Sequence, residues 1–208
     1  MVPRSYPLET LVYRSSKVIY PITYLGPVSW YRCWLNDTDA LIEQYETYQK
    51  QTIRNHCNIV GPNGVQTLTI PIERMHERKI LTKDIHITYQ EKWQQTHWQA
   101  LKTAYRNSPF YDYYIDLFEP LYSQKYDYLL DFNIKLMEII LKLSETPKTI
   151  QLTDKYIGIT QLQISNSEMQ NPNYYQVFQE KHGFIADMSI IDLLFNMGPE
   201  SYKILNTK

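Results

Sequence analysis

Cysteine is nearly absent. Cys33 and Cys57 are the two in 208 residues, too few for a disulfide framework and without the paired spacing of a zinc site. Neither sign of charge dominates: 21 Lys and Arg against 22 Asp and Glu leave a net charge of −1, which excludes the basic footprint of a general nucleic-acid binder. Glycine is scarce at six, and none of the six belongs to a phosphate loop, a dinucleotide fingerprint or a Gly-x-Ser-x-Gly elbow. The histidines at 56, 76, 86, 97 and 182 include no pair at ligand spacing and no His-Glu-x-x-His, so no metal ligands are assigned. Long hydrophobic runs are missing as well. Residues 1–14 hold no continuous apolar segment of the kind a secretion signal needs. The most apolar stretch, 129–143, is broken by Asp131, Asn133, Lys135, Glu138 and Lys142 and cannot span a bilayer. The expected location is the cytoplasm, with reduced thiols.

Apolar residues make up 43% of the chain and tyrosine alone supplies 19, enough for a sizeable core. Residues 1–16 read as an N-terminal arm and 17–208 as one domain. Lys17-Val18-Ile19-Tyr20-Pro21-Ile22 suits a buried strand. Pro27 suits the first turn of a helix, with Val28, Tyr31, Trp34 and Leu35 at helical spacing, and Ala40 to Tyr45 reads as a second strand. That order is a βαβ unit. Gly61-Pro62-Asn63-Gly64 has the chemistry of a hairpin turn. Residues 75–83 read as a charged loop, and Asp84 to Ile87 as a short strand. Helices are expected over 89–107, opened by a Thr88-x-x-Glu91 capping box, over 109–120 and over 126–144. Residues 156–159 and 162–164 suit short strands. A Ser189-x-x-Asp192 capping box opens a last helix ending at Gly198, with Gly198 at positive φ. The fold class is α/β: a single domain, with a small mixed sheet and flanking helices.

Two constellations carry possible chemistry. The segment Tyr48-Gln49-Lys50-Gln51-Thr52-Ile53-Arg54-Asn55-His56 follows a buried strand, where open α/β sheets place ligands. Lys50 and Arg54 suit a phosphate or carboxylate, and Gln51, Asn55 and His56 suit orienting roles. The same stretch also reads as a solvated connector whose amides cap strand ends. The second is the aromatic wall of Trp93, His97, Trp98 and Tyr105 followed by Phe110, Tyr111, Tyr113 and Tyr114. It suits stacking on a sugar or nucleobase, with His97 as a titrating group. It equally suits a core stripe with a hydrogen-bonded histidine.

Four blocks together resemble the WbqC-like family: residues 21–31; Tyr48-x-Lys50-x-x-x-Arg54-Asn55; Trp93-x-x-x-His97-Trp98 leading to Tyr105 and Pro109-Phe110; and Ser189-Ile190-Ile191-Asp192-Leu193-Leu194-Phe195-Asn196-Met197-Gly198-Pro199. The chain looks closest to short, tyrosine-rich members found in Bacteroides-type bacteria. It departs from the usual pattern at Tyr20-Pro21, where members carry Gln-Pro, and at 146–170, which stands in place of a longer α/β stretch. The resemblance implies a role in O-antigen or other surface-polysaccharide biosynthesis, with transfer of a small glycyl- or acyl-type group. In that reading the substrate is an anionic small molecule such as a nucleotide sugar. Lys50 and Arg54 hold its charge, Tyr24, Tyr48, Asn55 and Trp93 contact it, and His97 is the acid or base, its ring facing the site. The alternative is a non-catalytic binding module of a glycan-biosynthesis complex. Both readings leave the cofactor unknown.

Overall fold

A computed structural model describes residues 17–74, 79–159 and 173–206. The chain builds a strand–helix–strand unit first: β1 (Ile19–Pro21), α1 (Val28–Asn36) and β2 (Leu41–Glu43). β1 and β2 pair in parallel, Ile19 opposite Leu41 and Pro21 opposite Glu43, and a parallel bridge joins Ile42 to Leu152. Every residue of both strands is buried, as parallel strands covered on both faces require. Pro27 stands immediately before α1, where its missing N–H leaves no bond unmade. Val28, Ser29, Trp30, Tyr31, Arg32 and Trp34 are all buried, so α1 is a core helix.

The hairpin follows as read from its turn residues. β3 (His56–Gly61) and β4 (Gly64–Thr69) pair antiparallel across Pro62-Asn63. Gly64 has a φ of 102°, a left-handed conformation that glycine adopts without steric cost. Three helices come next: α2 (Trp93–Tyr105), α3 (Tyr111–Ser123) and α4 (Leu129–Leu143). α2 lies on β3, and α3 packs between α2 and α4. The short α5 (Gln179–His182) precedes α6 (Ile190–Met197) and α7 (Ser201–Leu205). α6 is buried from Ile190 through Asn196 and touches α1, α3 and β3.

The fold is thus a single α/β domain with flanking helices. The small mixed sheet is, among the described residues, one parallel and one antiparallel two-stranded sheet. The start of α2 moves from 89 to Trp93. The Thr88 amide donates to the Pro71 carbonyl (3.0 Å) and the Ile87 amide to the Asp127 carbonyl (3.0 Å), so those residues stay extended and the capping box is not used. The expected strand over 84–87 becomes a 3₁₀ turn at Thr82–Asp84 followed by isolated bridges, Ile72 to Ile87 and His86 to Tyr128. Residues 156–159 form no strand. The N-terminal arm, part of the 75–83 loop and the strand expected at 162–164 lie outside the described residues. Among those residues no helix is long and apolar enough to cross a membrane.

The terminal helix is capped at both ends, with one correction. The Ser189 hydroxyl accepts from the Ile191 amide (3.4 Å) and donates to the Leu25 carbonyl (2.7 Å), and Gly198 ends α6 at a φ of 53°. Asp192 does not return a bond to the cap. Its carboxylate accepts from the Tyr174 hydroxyl (2.7 Å) and the Gln176 amide (2.7 Å), donors supplied by a segment that helical spacing does not reveal. Burial pushes its carboxyl pKa up.

Candidate functional site

The loop after β1 is stitched to the connection after β2. The Tyr24 amide (2.8 Å) and the Thr23 hydroxyl (3.1 Å) both donate to the Ile53 carbonyl. Gly26 is required here, because a Cβ would overlap the Thr23 side chain. The Gly26 carbonyl accepts from the Ile190 amide (2.8 Å), and the Ser189 amide donates to the Asn58 carbonyl (2.9 Å). These bonds bring three of the four sequence blocks, those at 21–31, 48–55 and 189–199, to one place. Between them lies a cleft of about 470 Å³, with Gln51, Thr52, His56, Asn58, Thr67 and Asp187 in its lining.

The N-termini of α1 and α6 both reach this cleft, and both are closed by protein acceptors. Asp187 takes the Ser29 amide (2.9 Å) and the Ser29 hydroxyl (2.9 Å). In α6, Ser189 takes the Ile191 amide. The positive end of the α1 dipole is therefore met by an internal carboxylate. No Lys or Arg is among the cleft's described lining residues. The walls offer hydroxyls, amides, one carboxylate and one imidazole, which suits a neutral polar ligand better than a phosphate.

The imidazole is held in one tautomer. Asn55 is buried and its Nδ2 donates to the Ile70 carbonyl (3.0 Å). That bond fixes the amide, so Oδ1 is the atom 3.0 Å from His56 Nδ1. An amide oxygen only accepts, so Nδ1 of His56 carries the proton. In the neutral ring Nε2 is then the basic nitrogen. A base oriented by a fixed acceptor is the arrangement that proton transfer from a substrate hydroxyl needs.

The residues expected at the site do not converge. Arg54 is buried and spends its guanidinium on Glu46, Nε to Oε1 at 2.6 Å and Nη2 to Oε2 at 2.7 Å, with Nη1 on the Thr52 hydroxyl at 3.0 Å. Lys50 is exposed and outside the cleft lining. Tyr48 is buried; burial pushes its hydroxyl pKa up and Arg54 pulls it down. Tyr24 and Trp93 are buried in the core. His97, also in the core, is 4% exposed. Its Nδ1 is 2.8 Å from the Tyr24 hydroxyl, which is 2.9 Å from the Tyr122 hydroxyl, and the ring also bonds the Thr69 backbone. Tyr24 stacks on it at 5.7 Å and Trp93 meets it edge-on at 5.2 Å. Burial lowers its pKa to about 4. The ring expected to face the site is a neutral core histidine, and Asn55 reaches the cleft only through His56.

The sequence reading gave His56 an orienting role, though its neighbour Asn55 was the available signal for more. Asp187, Asn58 and Thr67 arrive through tertiary contacts and carried none. Cys33 and Cys57 are free thiols, and burial pushes both thiol pKa values up. Among the described residues no three His, Cys, Asp or Glu side chains are grouped to hold a metal ion. The model of the WbqC-like protein family matches residues 35–166 and 158–204. No curated protein and no solved structure matches the chain.

Proposed function

Because the chain belongs to the WbqC-like family, we propose that it transfers a small acyl- or glycyl-type group onto a sugar in a cytoplasmic step of surface-polysaccharide assembly, of the O-antigen kind. The observation that supports this reading is the Asn55–His56 pair in the lining of the cleft. The acceptor hydroxyl gives its proton to His56 Nε2 as its oxygen attacks the acyl carbon of an activated donor. The bond to the leaving group breaks, and the proton passes from Nε2 to that group. Asn55 keeps the ring in the tautomer this requires. Gln51, Asn58 and Asp187 hydrogen-bond the sugar. When the acceptor is a nucleotide sugar, its phosphates stay outside the cleft, and exposed Lys50 on the same connection is their cation.

A general base of this kind contributes about 10²- to 10⁴-fold in rate. The test is mass spectrometry of UDP-linked neutral and amino sugars incubated with acetyl or glycyl thioesters. Wild type adds the group, and His56→Ala slows the addition by at least about 100-fold. Equal turnover by the two proteins would overturn the assignment. A second reading is a non-catalytic binding module in a glycan-biosynthesis complex. It is favoured by the closing of Arg54 onto Glu46 and of His97 into the core. Calorimetric binding of the same sugars with no turnover by either protein would decide for it.

A further inference from the structure

A second cavity, of about 590 Å³, opens where the chain leaves the carboxyl end of β2. Tyr45, Glu46, Thr47 and Gln49 come from that exit, and Tyr156 and Ile159 from the segment after Leu152. Its position is the one open α/β sheets use for ligands. Among the described residues it shares no lining residue with the His56 cleft.

The lining is two tyrosines, a carboxylate, an amide, a hydroxyl and one aliphatic side chain, with no Lys or Arg among the described residues. Glu46 is 5% exposed, and its charge is already met by Arg54. Oε1 accepts from Arg54 and from the Thr82 hydroxyl (3.4 Å), while Oε2, among the described residues, accepts from Arg54 alone. A carboxylate oxygen takes two bonds, so a built, charge-neutral pair still offers an acceptor. Among the described lining residues no cation stands ready for a free anion. A hydroxyl finds Glu46, Thr47 and Gln49.

Tyr156 is held beside this cavity at unusual expense. Glu43, the last residue of β2, is fully buried, and four donors satisfy its carboxylate. The Tyr45 amide (2.9 Å) and Thr153 hydroxyl (2.9 Å) reach Oε1, and the Ile157 amide (2.9 Å) and Gly158 amide (3.2 Å) reach Oε2. Burying a carboxylate costs free energy even when it is bonded. This one ties both walls of the cavity together, and Tyr156 stays 66% exposed. The Lys83 ammonium lies over the Tyr45 ring at 5.7 Å, so Tyr156 is the more open aromatic surface of the two.

We infer that this cavity binds a neutral, hydroxyl-rich ring: a saccharide that packs its C–H face on Tyr156 and gives its hydroxyls to Glu46, Thr47 and Gln49. The inference does not rest on the transferase reading. Saturation-transfer NMR with the methyl glycosides of glucose, galactose and N-acetylglucosamine tests it, with glucose 6-phosphate as the charged comparison. Wild type transfers saturation to the ring protons of at least one neutral glycoside. Tyr156→Ala, a surface change whose folding a thermal melt checks, weakens that binding about 3- to 10-fold, and Gln49→Ala weakens it too. Tyr113→Ala, at an exposed aromatic of α3 that lines neither cavity, leaves it unchanged. Absence of transfer to all three glycosides, preference for the phosphate, or binding retained in Tyr156→Ala would each overturn it.

Discussion

Acidification from pH 8 to pH 5 is expected to weaken the fold by about 2 kcal/mol through His97 alone. The ring titrates near pH 6.5 in an unfolded chain and at about 4 in the folded one, because burial disfavours the cation. Above pH 6.5 both states are neutral and the contribution is fully present. Between 6.5 and 4 the unfolded chain takes up a proton that the folded ring refuses, so stability falls as pH falls. Below 4 both states are protonated and the loss levels off at about 3 kcal/mol. Carboxylates add their own pH dependence, so the measurement is a difference. Urea unfolding at pH 8 and pH 5 is compared for wild type and His97→Gln. A glutamine still offers an acceptor to the Tyr24 hydroxyl and a donor to the Thr69 backbone. Its cost at pH 8 therefore stays at or below the roughly 1–3 kcal/mol of a buried group left unpaired. The pH-dependent loss should be about 2 kcal/mol smaller in the variant. Equal losses in the two proteins, or a ring-proton titration of His97 centred near pH 6.5, would refute the reasoning.

His97 also marks how far the sequence could be read. The i, i+4 spacing of Trp93, His97 and Leu101 placed them on one face, and all three are buried. Periodicity identifies a face but not what covers it. Tyr24, 73 positions away, turns a wall with a possible base into a closed core. Arg54 failed for a similar reason. Glu46 stands only eight positions earlier, but a non-helical connection has no spacing rule, so nothing in the string paired them. Elements defined by local chemistry were legible: the β1–α1–β2 order, the Pro62-Asn63 turn, α4, and Gly198 at the end of α6. Gln51, Thr52 and His56 of the segment after β2 line a cleft, but which side chains face it was not legible. His56 depends on an Asn55 amide orientation set by Ile70, a bond across the hairpin. Part of the tyrosine abundance is a core feature. Tyr20, Tyr24, Tyr31, Tyr48, Tyr105, Tyr122 and Tyr174 are all buried.

Arg54→Ala strands the buried Glu46 carboxylate and should cost about 3–5 kcal/mol in chemical denaturation; a loss below about 1 kcal/mol would show that the pair is not buried as described. Gly198→Ala should cost about 2–4 kcal/mol from two separable sources. One is the backbone, whose φ of 53° and ψ of −131° lie outside the range an alanine adopts without strain. The other is steric, since a Cβ at 198 would overlap the Phe110 ring. The half-buried ring is held from two directions. The Phe110 amide donates to the Phe195 carbonyl (3.0 Å) on the helix that Gly198 ends, and Tyr114 stacks on the ring at 6.0 Å. Phe110→Leu removes the ring but leaves the backbone strain, so it should recover part of the loss and not all of it. The double-mutant cycle should show a favourable coupling of about 1 kcal/mol or more. Additive costs would mean that the ring moves freely and that the glycine is required for its backbone conformation alone.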